Sequence, residues 1–282
     1  MSFSVGIIGL PNVGKSTLFK ALTKKQVDIA DYPFTTINPN IGVVAIPDER
    51  LGRIANVVRP EKITPTVIKF VDIAGLVKGA HQGEGLGNQF LSYIGACDAV
   101  VEVIRVFKTP KAGEEINPEK DIEIIETELL MKDRETGNNV LTSKPKIYLF
   151  NTQDSEEFPK MNLKDEADMS ELSEEEIKEL GIKSQLDRLI LACYNILDLI
   201  TFFTVKGNKE VRAWTLKKGS SILEAADKVH TDFAKNFIKS EVIPWQKLIE
   251  TDSWLKARES GKIKTAGKEY LVQDGDVIEF KI

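Results

Sequence analysis

The apolar run Val5-Gly6-Ile7-Ile8 leads directly into Gly9-Leu10-Pro11-Asn12-Val13-Gly14-Lys15-Ser16, and helix-forming residues follow at once. This G-x-x-x-x-G-K-S/T spacing carries chemical meaning where a strand precedes it and a helix follows, and both are expected here. Glycines let backbone N–H groups curl around an anion, and the start of the helix adds positive dipole. A chance match in a chain of this length is roughly one in a hundred, given the frequency of glycine. The feature commits residues 4–22 to a strand, loop and helix around a triphosphate. In that arrangement Lys15 reaches the β- and γ-phosphates and the Ser16 hydroxyl ligates magnesium.

Further apolar, strand-like segments fall at residues 41–46, 66–71, 98–107 and 146–150, with helical patterns between several of them. Strands alternating with helices imply an α/β fold with a mostly parallel sheet. Residues 165–181 are dense in glutamate and read as a solvated amphipathic helix. Residues 185–199 read as an apolar helix packed on the sheet. The character changes near Asp198. Short strands at 201–205 and 211–215, a helix at 221–229 and late strand-like runs suggest a small β-grasp-like domain. The expected division is residues 1–198 and 199–282.

Composition removes several classes. No run of eighteen apolar residues exists among the 282, so no membrane span is expected. The amino terminus lacks the charged and apolar regions of a signal peptide. Cys97 and Cys193 are isolated, which argues against a disulfide scaffold and a zinc site and leaves a reducing cytoplasm as the expected location. With a net charge of −5, any nucleic-acid contact requires a local basic patch. Lys206, Lys209, Arg212, Lys217 and Lys218 either form such a face or scatter over a solvated surface.

Asp72 closes the strand at 66–71, and Gly75 follows three residues later, a D-x-x-G arrangement. Its carboxylate faces magnesium and the Gly75 N–H reaches the γ-phosphate, so the loop distinguishes triphosphate from diphosphate. Tyr32-Pro33-Phe34-Thr35-Thr36 lies between the two motifs. Either threonine could supply a second hydroxyl to magnesium, and Thr36 is favoured. Leu76 occupies the position where Ras-like enzymes carry a water-orienting glutamine, and leucine cannot orient water. The glycine-rich run 78–88 contains His81, readable as an acid–base group or as a plain loop residue. No residue is assigned as a general base. After the strand at 146–150, Asn151-Thr152-Gln153-Asp154 stands where guanine-specific proteins place N-K-x-D; it keeps Asn151 and Asp154 but lacks the lysine. The motif leaves ATP and GTP both open.

Together, residues 9–16, Tyr32-Pro33-Phe34-Thr35-Thr36, and Phe70-Val71-Asp72-Ile73-Ala74-Gly75-Leu76-Val77-Lys78-Gly79-Ala80 with the following glycine run closely resemble the Obg-related YchF/Ola ATPases. So do Glu210-Val211-Arg212-Ala213-Trp214-Thr215 and Val272-Gln273-Asp274-Gly275-Asp276-Val277, which are similar to the family's TGS domain. The resemblance implies slow, magnesium-dependent ATP hydrolysis and a preference for ATP over GTP. It also implies association with the ribosome, through the large subunit or the 70S particle, as a monomer acting in translation or stress response. Carried over by position, Asn12, Val13, Gly14, Lys15, Ser16 and Thr17 bind the triphosphate, and Ser16 and Thr36 bind magnesium.

The chain departs from that pattern in four places. A short connector at 134–143 replaces the family's long coiled-coil arm. The loop 108–117 has no histidine of the kind proposed to assist hydrolysis. Asp154 stands where the family's N-x-x-E has glutamate. Residues 156–168 contain no apolar run fit for a central strand, so the helix and the last strand after the base motif are expected to be shortened and the last base-contacting loop to be missing. The edge this exposes is expected to be covered by residues 185–199 or by the carboxy-terminal domain.

Overall fold

A computed structural model describes residues 3–27, 40–73, 86–107, 116–153, 157–181 and 183–282. In chain order, the amino-terminal elements are β1 (Ser4–Ile8), α1 (Lys15–Lys24), β2 (Ile41–Ala45), α2 (Glu49–Val58), β3 (Lys62–Thr64) and β4 (Val67–Asp72). There follow α3 (Leu86–Ala96), β5 (Ala99–Arg105), α4 (Pro118–Thr136), β6 (Lys146–Asn151) and β7 (Lys160–Met161). Helices α5 (Leu163–Met169), α6 (Glu174–Leu180) and α7 (Leu186–Ile196) lead to β8 (Leu199–Lys206) and β9 (Glu210–Lys217). The chain ends with α8 (Ile222–Val229), α9 (Thr231–Lys235), β10 (Lys239–Pro244), α10 (Trp245–Thr251), α11 (Trp254–Glu259), β11 (Lys264–Ala266) and β12 (Asp276–Lys281). The glutamate-dense stretch is thus two short helices, α5 and α6, and not one.

The chain divides into two compact units, Ser2–Ala45 with Ile68–Leu197, and Ile46–Val67 with Asp198–Ile282. A single cut at 198 therefore misplaces residues 46–67. The physical reason is strand pairing and charge. β3 pairs in parallel with β9, Lys62 opposite Glu210. Leu51 and Ile54 of α2 are buried with Phe203, Val211 and Val277. Arg50 grips Asp48 through two nitrogens, at 2.8 and 2.7 Å, and Asp274 at 2.6 Å.

The first unit is a six-stranded sheet in the order β2-β4-β1-β5-β6-β7, in which β1–β4, β1–β5, β5–β6 and β6–β7 are parallel. On one face Ile8 and Val100 pack with Phe90, Leu91 and Ile94 of α3 and Ile125 and Leu129 of α4. Helix α7, with Leu189, Ile190 and Cys193 fully buried, packs against β5 and β6. The last strand is shortened as expected, but the expectation of what covers the sheet edge is corrected here. β7 is only two residues long, but Phe150 N donates to Pro159 O and Thr152 N to Met161 O, both at 2.9 Å, so residues 159–161 cover the outer edge of β6. α7 packs instead across the inner strands.

The short connector after α4 is a built loop. Gly137 ends the helix at φ 69°. The buried Asp133 carboxylate then accepts from Leu141 N at 3.0 Å, Thr142 N at 2.8 Å and the Thr142 hydroxyl at 2.7 Å. Burial raises the pKa of this group, but the three hydrogen bonds outweigh burial and hold it below the usual carboxylate range.

The second unit is a six-stranded sheet in the order β11-β10-β12-β8-β9-β3. Its central neighbours β12 and β8 run parallel, and β8–β9 form an antiparallel hairpin, a β-grasp arrangement. One face packs Ile200, Phe202 and Ile278 against Ile222, Ala225 and Ala226 of α8. The other packs Phe203, Ala213 and Val277 against α2, α10 and α11.

Candidate functional site

The strand–loop–helix expected at residues 4–22 is formed by β1, the loop from Gly9 and α1. Two glycines are required by the loop's path. Gly9 sits at φ 150°, and a Cβ there would lie 2.5 Å from Val103 O. Gly14 sits at φ 109°, and a Cβ there would lie 2.6 Å from Asn151 Nδ2. Asn12, at φ 63°, takes the left-handed conformation that asparagine tolerates. No side chain caps the start of α1. Its first N–H groups are therefore available to an anion, and the helix dipole favours one.

Lys15 is buried, and its ammonium donates to Gly9 O at 3.1 Å and Leu10 O at 2.7 Å. Burial lowers its pKa, and the charge of Asp72 acts in the opposite direction. The parallel register sets Asp72 beside Ile7, two residues before Gly9. From there its carboxylate accepts the Ser16 hydroxyl at 3.2 Å. The donor set fits magnesium: one carboxylate and one hydroxyl, both hard oxygens, converge where phosphate oxygens would complete the shell. Among the described residues no cluster of three or more His, Cys, Asp or Glu side chains competes for a metal.

A cleft of about 780 Å³ opens beside the loop and is lined by Asn12, Gly14, Lys15, Ser16 and Thr17 on one side. Phe107, Asn151, Thr152, Gln153, Asn162, Lys164 and Asp165 line the rest. Val13 is buried and is not part of the cleft lining. Asn151 also acts within the protein: its amide donates to Val13 O at 2.9 Å, and its oxygen accepts from Leu163 N at 3.1 Å.

Sequence reasoning missed Asn162, Lys164 and Asp165. Residues 156–168 were expected to have lost their part of the base site, yet the first turn of α5 forms a wall of the cleft. The Asn162 side chain caps α5, accepting from Lys164 N at 3.1 Å and Asp165 N at 3.2 Å, and its amide donates to Gln153 O. An asparagine before Leu-Lys-Asp-Glu is a helix-start signal, and it was readable in the sequence. Thr36, Gly75 and Asp154 lie outside the described residues, as do Leu76 and His81.

Residues 4–152 match the family described as "50S ribosome-binding GTPase", and residues 199–282 match the YchF carboxy-terminal family described as "Protein of unknown function". The "Ribosome-binding ATPase YchF" of Bacillus subtilis (strain 168) is 38% identical, over all of this chain and 99% of its own length. That alignment runs to 365 positions against the 282 residues here, so 83 positions of it lie opposite gaps in this chain. The protein of the same name from Mycoplasma genitalium is 40% identical over 99% of this chain and 98% of its own. The solved structure of the Schizosaccharomyces pombe YchF GTPase covers 99% of this chain and 98% of its own at a TM-score of 0.85 and 33% identity. Full-length similarity at this level, joined to the loop geometry and the Ser16–Asp72 contact above, places the chain in the YchF family of P-loop ATPases.

Proposed function

We propose that this chain binds ATP with magnesium at the Gly9–Ser16 loop, hydrolyses it slowly, and uses the bound state as a switch on the cytoplasmic ribosome. The observation that carries the reading is the convergence of Lys15, Ser16 and Asp72 on the uncapped start of α1. Phosphate oxygens replace the Gly9 and Leu10 carbonyls as partners of the Lys15 ammonium. The backbone N–H groups of residues 12–17 take the remaining oxygens. Ser16 and Asp72, with Thr36 as a further ligand, would hold magnesium, which would supply positive charge to the phosphates. Lys15 stabilises the charge that develops on the transferred group.

Slow turnover is supported by the sequence after Gly75. Leu76 cannot orient water, and no general base is assigned. The same feature favours a second reading, a nucleotide-gated ribosome-associated regulator with negligible hydrolysis. Preference for ATP is supported by the names of the curated relatives and by Thr152 in place of the lysine of the guanine motif. Asp154 is the acceptor that a GTP reading would use. The ribosome enters from the relatives' names, and a monomer is the expected state.

Calorimetric titration of the protein with magnesium–ATP and magnesium–GTP, repeated on Lys15→Ala, tests the site. Tighter ATP binding that the variant loses supports the proposal, and tighter GTP binding overturns the nucleotide assignment. Phosphate release measured with and without ribosomes separates the slow enzyme from the regulator.

A further inference from the structure

The β8–β9 hairpin gathers positive charge on a chain that is acidic as a whole. Residues 59–62 and 206–212 contain five cations, Arg59, Lys62, Lys206, Lys209 and Arg212, against the two carboxylates Glu61 and Glu210, in a protein of net charge −5. The fold brings these two segments together. Glu61 N donates to Asn208 O at 2.8 Å, Lys62 N to Lys209 O at 3.0 Å, and Lys209 N to Lys206 O at 3.0 Å. Glu210 is engaged by the Thr64 hydroxyl at 2.6 Å. Arg59, Lys62, Lys206 and Lys209 are all exposed. Lys217 and Lys218 do not belong to this cluster. Lys217 pairs with Leu199 at the far end of the hairpin, so the five-residue face considered from sequence is split.

Next to the cluster lies a stack of flat groups. The Arg212 guanidinium sits 4.3 Å from the centroid of the Trp214 ring, and Trp214 stacks on Phe202 at 6.4 Å and 15°. The Trp214 N–H is fixed on the Thr204 hydroxyl at 2.8 Å. Arg212 and Trp214 are both partly exposed. A guanidinium held flat on an immobilised indole is a platform on which a base can stack, and adjoining lysines suit a phosphate backbone.

We infer that the hairpin tip is a single-stranded RNA contact, with Arg59, Lys206 and Lys209 on phosphates and Arg212 under a base. The choice of RNA rests on the ribosome-associated reading. An anionic membrane would use the lysines but has no need of the stacked Arg212–Trp214 pair.

The test is fluorescence anisotropy of a labelled, mixed-sequence 12-nucleotide single-stranded RNA across a salt series, with ribosome pelleting of the same proteins in parallel. Three phosphate contacts give a log–log salt slope of about −2. Lys206→Glu with Lys209→Glu is expected to weaken RNA binding at least ~10-fold and to flatten the slope to about −0.7. Arg212→Lys keeps the charge but loses the planar stack, and is expected to weaken binding ~5-fold with the slope unchanged. Unchanged far-ultraviolet circular dichroism and thermal midpoints in the variants show that they are folded. Wild-type protein that fails to bind the RNA, RNA binding indifferent to the charge reversals, or binding only to phosphatidylserine vesicles overturns the inference. Ribosome pelleting by the wild type that persists in the variants overturns the hairpin contact and leaves the functional reading intact, whereas a wild type that binds the RNA but does not pellet with ribosomes overturns the functional reading alone.

Discussion

The Asn151 amide donates to the Val13 carbonyl at 2.9 Å while its oxygen accepts from Leu163 N at 3.1 Å, so one side chain ties the loop before α1 to the first residue of α5. Asn151→Ala leaves a buried carbonyl and a buried N–H without partners, each costing about 1–3 kcal/mol. It is expected to lower the thermal midpoint and to weaken nucleotide binding at least ~10-fold. Asn151→Asp keeps the acceptor but turns a carboxylate toward the Val13 carbonyl, and should be no better. Scanning calorimetry and nucleotide titration of both variants check this; wild-type affinity in either would show that the tie does not hold the loop in its binding shape.

Much of the site was legible because its chemistry is local. Gly9 and Gly14 in the loop and Lys15 and Ser16 at the start of α1 lie within eight residues, and the left-handed or open backbone the glycines supply is encoded at fixed spacing. Asp72 was legible as the last residue of an apolar strand, and the parallel register then delivers it to Ser16. What sequence could not supply was non-local. Residues 46–67 read as ordinary members of the first domain, because nothing in Lys62-Ile63-Thr64 says that its partner strand lies at Glu210–Lys217. The α5 wall was missed because a two-residue strand such as Lys160–Met161 has no periodicity to detect.

Asp133 should carry much of the stability of the short α4–β6 connector. Asp133→Ala removes three hydrogen bonds to a buried carboxylate and orphans two backbone N–H groups, an expected loss of about 2–4 kcal/mol by chemical denaturation. Because the folded group titrates below its ordinary range, its contribution is present above the unfolded carboxylate pKa and is lost as pH falls through the folded value. The wild-type and variant stabilities should therefore converge in acid. Equal stability at neutral pH would mean that the loop closes without this anchor.

Glu102 should act in the opposite sense. It is fully buried on β5, neither carboxylate oxygen has a hydrogen-bond partner, and Lys146 Nζ lies 3.9 Å away. Burial pushes its pKa up to about 8, against the favourable charge of Lys146 and with the repulsion of Glu126, which itself pairs with Lys146 and accepts from the Tyr148 hydroxyl. A raised folded pKa means that stability is full below the unfolded value and falls as pH rises toward 8, with a slope of up to about 1.4 kcal/mol per pH unit. Glu102→Gln should flatten that slope and leave the protein more stable than wild type at pH 8.5. Parallel pH–stability curves for the two proteins would rule out a titrating Glu102.

Arg50 is the anchor that keeps α2 in the second unit. Burial opposes its charge, but hydrogen bonds and attraction from Asp48 and Asp274 outweigh burial and raise its pKa. Its guanidinium also lies 5.5 Å from the centroid of the Phe203 ring. Arg50→Lys keeps the charge and loses the fork that grips Asp48 with two nitrogens, so the substitution is not conservative at this position. Arg50→Ala removes all four contacts and leaves the Asp48 carboxylate, with a side-chain exposure of 8%, short of its cation. The expected cost is about 2–4 kcal/mol for the alanine variant and less for lysine. Since the chain leaves the first sheet after Ala45 and rejoins it at β4, loosening α2 should release the amides of α2 and β3 before those of β10 and β12, whose mutual ladder runs over six residue pairs. Amide hydrogen exchange read by mass spectrometry resolves these segments. Uniform acceleration across the whole second unit would show that Arg50 contributes to its global stability and not to the local docking of residues 46–67.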